Sequence, residues 1–419
     1  MARQTARRSV RQAGRRGSTR AGLAALLVLP LALGACGGGG GGTAGGSPDT
    51  LRVLDYYNSD PNKTIWGDAI EACGQSVGME ISRESVPGDT LIQKVLQQSS
   101  SRTLPDVLML DNPDVQQIAA SGALAPLGDL GVDSSGVADG VLQASTYEGE
   151  LYALQPVTNT IALFYNRQVL DAAGIAPPTT WDELKTASAQ LTQGDQYGFA
   201  MSNINTYEGT WQFLPFMWSN GGDEKDIATP QTAEALQLVK DLMTSGSLSQ
   251  SSVNWSQADV ADQFSAGKAA MMINGPWNFG VLDAVDGLDY GIVPLPVPQA
   301  GETAVSPFGG EAWTVPQTGD QEKQQKAAEL VQCLNSDENE VEISLGTGTV
   351  PTKPELSDQV TSQNPKLEAF AAQVPDLRAR TGELGPDWPQ AATKIYTAVQ
   401  NALVGGMTPE DALKQAQDG

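Results

Sequence analysis

The sequence predicts an α/β protein of two lobes, and three observations carry that expectation. At 419 residues the chain is longer than one hydrophobic core usually organises. From Thr50 to Asp111, strand-like and helix-like patterns alternate, as they do where helices connect the strands of a parallel sheet. Beyond that point amphipathic helical stretches dominate, with strands between them, so a second and more helical lobe follows.

"TLRVLDYY", 50 to 57, reads as a strand, and the stretch from Gly67 to Val77 as the helix after it. "MEISRES", 79 to 85, alternates apolar and polar residues like a second strand. Leu91, Ile92, Val95 and Leu96 share one helical face, and "PDVLMLD", 105 to 111, is the short continuous apolar run of a buried parallel strand. In "TTWDELKTASAQL", Thr180 stands three residues before Glu183, a capping box that starts a helix. "TPQTAEALQLVKDLMTSG" and "ADVADQFSAG" are amphipathic and stop at glycine. "GKAAMMINGPW", 267 to 277, holds a buried strand ended by the turn residues Asn274, Gly275 and Pro276, which leaves Trp277 at the strand's mouth. "DYGIVPLPVP", 289 to 298, is a strand with a Pro-rich exit, and the chain closes on two helices separated by Gly405 and Gly406, the second capped by Thr408.

Charge narrows the function. Seven of the 25 basic residues lie in the first twenty positions with no acid among them; the remaining 18 face 49 acidic residues, a net charge of −31. So acidic a body repels phosphate backbones and anionic headgroups, which argues against nucleic acid and against peripheral membrane binding. Residues 1–35 read as an export signal, with a basic start and the apolar core "AGLAALLVLPLALGA", which Pro30 and its shortness keep from being a spanning helix. "LGAC", ending at Cys36, looks like a bacterial lipobox, whose cysteine becomes the lipid-bearing first residue of the mature chain. Residues 36–48 then form a Gly-rich tether, of which about a dozen residues reach roughly 20 Å. The body is thereby expected at the extracytoplasmic face of the membrane, held by its lipid alone. Cys73 and Cys333 remain, either bonded across a large loop or separate as two buried thiols.

The chain contains no histidine. That removes the usual general base, every Ser-His or Cys-His arrangement and the commonest zinc ligand. Neither a phosphate loop nor a dinucleotide-binding glycine motif is present, and no pair among the many carboxylates is singled out as a glycosidase pair. No cofactor, no metal and no enzymatic activity are expected.

Five stretches, in order, resemble the extracellular solute-binding proteins of carbohydrate ABC importers, the maltose-binding type: "SRTLPDVLMLDNPDVQQIAASGALAPL", "YEGELYALQPVTNTIALFYNRQVLDAAGIAPPTTWDEL", "FSAGKAAMMINGPW", "SPFGGEAWTVP" and "WPQAATKIYTAVQNALVGGMTPEDAL". The resemblance covers the chain from about Leu51 to its end. It implies a two-lobed periplasmic-binding-protein-like fold of type II, with discontinuous lobes (49–158 plus 311–345, and 159–310 plus 346–419), a hinge and a ligand cleft between them. It also implies a monomer that delivers a carbohydrate to the transmembrane subunits of an ABC permease. Carried over position by position, Asn58 and Asp60 follow the first strand, and Asp111, Asn112 and Asp114 form the next binding loop. Leu110 stands where the maltose binders place an aromatic. Asn159 sits at a lobe crossing; Tyr207, Glu208 and Trp211 come from the second lobe; Gly309, Gly310 and Glu311 lie near another crossing; Trp388 lies about one turn from the family's late aromatic.

The chemistry agrees with such a ligand. A pyranose has an apolar C–H face that Trp277 could cover, and an edge of hydroxyls that Asp, Glu and Asn satisfy with directional hydrogen bonds. Trp277 is otherwise a core residue, and Tyr207 and Trp211, four apart, are otherwise one inward-packing helix face; Trp66 and Trp181 lie in helix-like runs and read as structural. None of the six arginines beyond residue 35 falls at these positions, which favours a neutral sugar over an anion. Another solute on the same fold (a polyol, polyamine, glycerol phosphate or peptide), a secreted carbohydrate-active enzyme and a surface adhesin or sensor remain as alternatives.

Overall fold

The computed structural model of the chain describes residues 47–419. The signal segment, Cys36 and nearly all of the tether lie outside the described residues. Among the described residues no helix is long and apolar enough to cross a membrane.

Two sheets organise two cores. In the first, Glu80–Ser85, Thr50–Asp55, Val107–Asp111, Glu311–Thr314 and Ala153–Leu154 stand side by side in that order. The first three are parallel and connected by the helices Asn62–Ser76 and Gly88–Ser101, the crossover that parallel strands require. Val107 to Leu110 are fully buried, as a continuous apolar run in mid-sheet must be. Glu311–Thr314 enters antiparallel from two hundred residues later and pairs Glu311 directly with Asp111. Its core gathers residues from Leu51 to Val157 and again from Ala312 to Ile343, so this lobe is discontinuous in sequence. Trp66 and Trp313 anchor it, their ring centroids 5.4 Å apart.

The second sheet runs Tyr290–Val293, Ala162–Asn166, Ala269–Asn274, Tyr197–Ala200, and is mixed. Every residue of Ala269–Asn274 is buried. Helices dominate around it, including Trp181–Leu191 with the expected capping box on Thr180 and Glu183, Tyr207–Ser219, Pro230–Thr244, Trp388–Leu403 and Pro409–Asp418. Their core takes residues from Ile161 to Ala304 and again from Trp388 to Ala416. The fold is therefore the expected two-lobed α/β type.

Three crossings tie the lobes together, side by side. Val157–Thr158 pairs antiparallel with Val350–Pro351, and Asn159 bridges Gly309. The Gly309 carbonyl accepts from Gln155 Nε2 and Thr158 Oγ1, both at 2.9 Å. Gly310 has φ +119°, and a Cβ there would run into the Val157 carbonyl and the Gln155 amide, so only glycine fits. Of the two readings left open for Cys73 and Cys333, the structure has the disulfide, which joins helix Asn62–Ser76 to helix Gln321–Leu334 inside the first lobe.

Candidate functional site

Between the two sheets lies a cavity of about 860 Å³, and residues from both lobes and from the crossings line it. The first-lobe side starts where strand Thr50–Asp55 ends. Asp55, fully buried, pairs with Arg83 at 2.5 Å and accepts the Tyr57 backbone N–H at 2.8 Å, which fixes how the chain leaves the sheet. Tyr57 stacks on Trp66 with centroids 5.0 Å apart and planes 11° from parallel. Both tyrosines then turn their hydroxyls to one carboxylate: Tyr56 donates to Glu311 Oε1 and Tyr57 to Oε2, the latter at 2.6 Å. Burial pushes the Glu311 carboxyl above its ordinary pKa, against the pull of the two hydroxyls, and burial also holds both phenols well above theirs.

Sheet register puts Asp111 opposite Glu311, and two carboxylates side by side need a cation. Arg380 supplies it with a two-pronged pair, Nη2 to Oδ1 at 2.7 Å and Nη1 to Oδ2 at 3.1 Å. Its guanidinium lies 4.6 Å from the Trp211 ring centroid, a cation–π contact. Asp114, one turn on, is 5 % exposed and has no such partner. Tyr207 donates to it, yet burial and the neighbouring Asp111 push its carboxyl up to about 7.

The second-lobe side is aromatic. Helix Tyr207–Ser219 starts at the Thr206 cap and presents Tyr207 and Trp211 four residues apart, both lining the cavity. They also pack against the core, so this helix face both lines the cavity and rests on the core. Glu208 accepts the Gln257 backbone N–H at 2.6 Å. Trp277 follows strand Ala269–Asn274 after the turn at Gly275, is half-buried and lines the cavity. A side chain at Gly275 would overlap its indole, so the ring can fold back over the turn only because that residue is glycine. At the crossings, Gly309 similarly leaves room for Asn159 Oδ1 and the Trp211 ring.

Of the residues expected from sequence, Asn58, Asp111, Asp114, Asn159, Tyr207, Glu208, Trp211, Trp277, Gly309, Gly310 and Glu311 line this one cavity. Three do not. Asp60 is exposed at the start of helix Asn62–Ser76, where it accepts from Thr64 Oγ1 at 2.6 Å. Asn112 is fully buried and donates to the Gly310 carbonyl at 3.0 Å, bracing a crossing. Trp388 is 1 % exposed, because Trp388, Ala391, Ala392 and Ile395 form the inward stripe of their helix; Tyr396, off that stripe, reaches the cavity instead. The structure also corrects the reading that no arginine belongs here, since Arg380 lines the cavity. Its terminal nitrogens are committed to Asp111, however, so it is not a free clamp for an anion. Tyr56 and Tyr57 supply the aromatic surface that Leu110, buried in mid-sheet, cannot. Their position at the strand's mouth was a usable signal; Arg380 sits in an irregular stretch that offers none.

A cavity with aromatic faces on one side and fixed carboxylates and amides on the other suits a compact polar ligand with a flat apolar face. Residues 68–369 match the family described as bacterial extracellular solute-binding protein. A putative binding protein of Brucella abortus is 27% identical over 82% of this chain and 85% of its own length. The galactooligosaccharide-binding protein of Bacillus subtilis is 24% identical over 93% of each chain. Among solved structures, an ABC transporter solute-binding protein of Thermotoga lettingae bound to α-D-tagatose superposes with a TM-score of 0.78 at 24% identity, over 88% of this chain and 98% of that one.

Proposed function

Because the chain belongs to the bacterial extracellular solute-binding proteins, we propose that it captures a mono- or oligosaccharide in the cleft between its lobes and delivers it to the permease of an ABC importer. Membership in that family makes it a binding protein rather than an enzyme. The observation that carries the saccharide reading is the mixed lining of the 860 Å³ cavity: the half-buried rings of Tyr207 and Trp277 share it with the carboxyl groups of Asp111, Asp114 and Glu311. The names of the Bacillus relative and of the Thermotoga ligand support the same chemical class.

The lobes are taken as 49–158 plus 311–345 and 159–310 plus 346–419, with the hinge at the three crossings. A ligand that touches both walls binds the closed form better than the open one, and that difference alone shifts the hinge equilibrium. A shift from 1:99 to 99:1 takes about 5.5 kcal/mol, within reach of one or two stacked rings and several buried hydrogen bonds. Export by residues 1–35 and lipidation of Cys36 would keep this monomeric receptor on the outer face of the membrane, near its permease.

Calorimetry and tryptophan fluorescence against a panel of mono- and oligosaccharides test the reading. At least one saccharide should bind, and Trp277→Ala should weaken it tenfold or more, from roughly 1.5 kcal/mol of lost apolar burial, while leaving the melting temperature nearly unchanged. Silence across the panel with tight binding of an amino acid or peptide would overturn the assignment. Equal loss of binding and stability would return Trp277 to the core.

A further inference from the structure

Among the described residues, four carboxylates line the cavity, from Asp111, Asp114, Glu208 and Glu311, against the single guanidinium of Arg380 and no lysine. They are not equivalent. Both oxygens of Glu311 are taken by Tyr56 and Tyr57, and both of Asp111 by Arg380. Asp114 is different: its Oδ1 is buried and has no hydrogen-bond partner. The negative Asp111 stands beside this carboxyl, and what offsets it is the nearby Arg380 guanidinium, already paired with Asp111, and the Tyr207 hydroxyl.

A buried carboxylate with no ion pair of its own is a costly arrangement that proteins resolve by pairing or by protonation. Here burial pushes the carboxyl up to about 7, which disfavours the ionised form near neutral pH. A neutral hydroxyl would give Oδ1 a hydrogen bond but no compensating charge. An ammonium gives both, and restores the ionised form that burial disfavours.

We propose that the saccharide taken by this cleft carries a protonated amine, and that Asp114 is the residue that selects it. This rests on the saccharide reading above and narrows it to amino sugars and oligosaccharides containing them.

Calorimetry with matched pairs tests it: galactosamine against galactose, glucosamine against glucose, and glucosamine oligomers against their N-acetylated counterparts, with spermidine as a cation that is not a sugar. The amine member of at least one pair should bind ten times tighter or more than its uncharged partner. Asp114→Asn should bring that ratio to within about twofold. The wild-type ratio decides the matter even if the variant does not fold. Uncharged members binding as tightly as the amines, or tighter, would overturn this proposal and leave the saccharide reading standing. If no saccharide of either kind binds, whether or not spermidine does, both readings fall together.

Discussion

The two walls of the cleft are built on opposite plans. On the first-lobe side, two of the carboxylates are already paired, Glu311 with Tyr56 and Tyr57 and Asp111 with Arg380, which reaches across from residues 346–419, while Asp114 Oδ1 has no partner. Sheet register sets that wall, since Asp111 and Glu311 are direct neighbours on adjacent strands. On the second-lobe side, the surface is aromatic and is set by helical spacing and a glycine turn, with Tyr207, Trp211 and Trp277 resting on the core behind them. Groups that are already paired change little on binding, so they give orientation more than affinity. Apolar rings that lose water on closure give affinity with less direction. On the proposed reading, this division places selectivity with the carboxylate wall and the gain on closure with the aromatic one.

The two sides also differ in how their lobes are held, and here the largest effect is expected. Among the described residues the disulfide Cys73–Cys333 belongs to the first lobe, where it joins parts of the chain 260 residues apart. In the chain-entropy model a loop of that size is worth about 5 kcal/mol. Replacing both cysteines by serine should split thermal unfolding into two steps, the first lobe melting well before the second. Differential scanning calorimetry reads this directly; a single transition at the original temperature would show that the first lobe does not depend on its staple.

A smaller but sharper contrast is between two tryptophans. Trp277 lines the cavity, whereas Trp388 lies in the second-lobe core with an indole N–H that has no partner. Trp388→Ala should lower stability by about 3–5 kcal/mol, measured by denaturant titration, and leave the affinity of the folded fraction unchanged. A variant that folds normally but binds poorly would move Trp388 to the ligand.

Much of this division was legible in the sequence, and the rest was not for definite reasons. Strands such as Val107–Asp111 and Ala269–Asn274 announce themselves because a buried strand must be apolar along its whole length. Caps such as Thr180 and Thr408 are equally local. Asp111 and Glu311 are placed by the family resemblance of the stretches that hold them, and Trp277 by the turn that ends a buried strand. Arg380 could not be placed, since its role depends on a carboxylate 269 positions earlier in the chain. Trp388 failed for the opposite reason: one helical turn separates a cleft-facing position from a core-facing one, and a motif fixes the helix without fixing its rotation.

The smallest expected effect concerns the region that belongs to neither wall, the third crossing. Helix Asp337–Thr347 ends there, and its Glu340 is fully buried beside Lys353, with Asp337 on the same ammonium. Burial pushes the Glu340 carboxyl up to about 7, more than Lys353 pulls it down. In the unfolded chain a glutamate releases its proton near its ordinary value of 4.5, so between that pH and about 7 the folded chain retains a proton the unfolded one has lost. The stabilisation from this group is therefore complete below the unfolded value and disappears as pH rises through 7. At about 1.4 kcal/mol per pKa unit, the gap between 4.5 and about 7 makes the change on the order of 3 kcal/mol. Melting temperatures from pH 5 to 8 should fall less steeply for Glu340→Gln than for the wild type, while an Asp114→Asn chain, altered at the cleft wall, should show a separate flattening of its own. Superimposable slopes for wild type and Glu340→Gln would mean that Glu340 stays ionised throughout, and that the crossing is held by its ion pair alone.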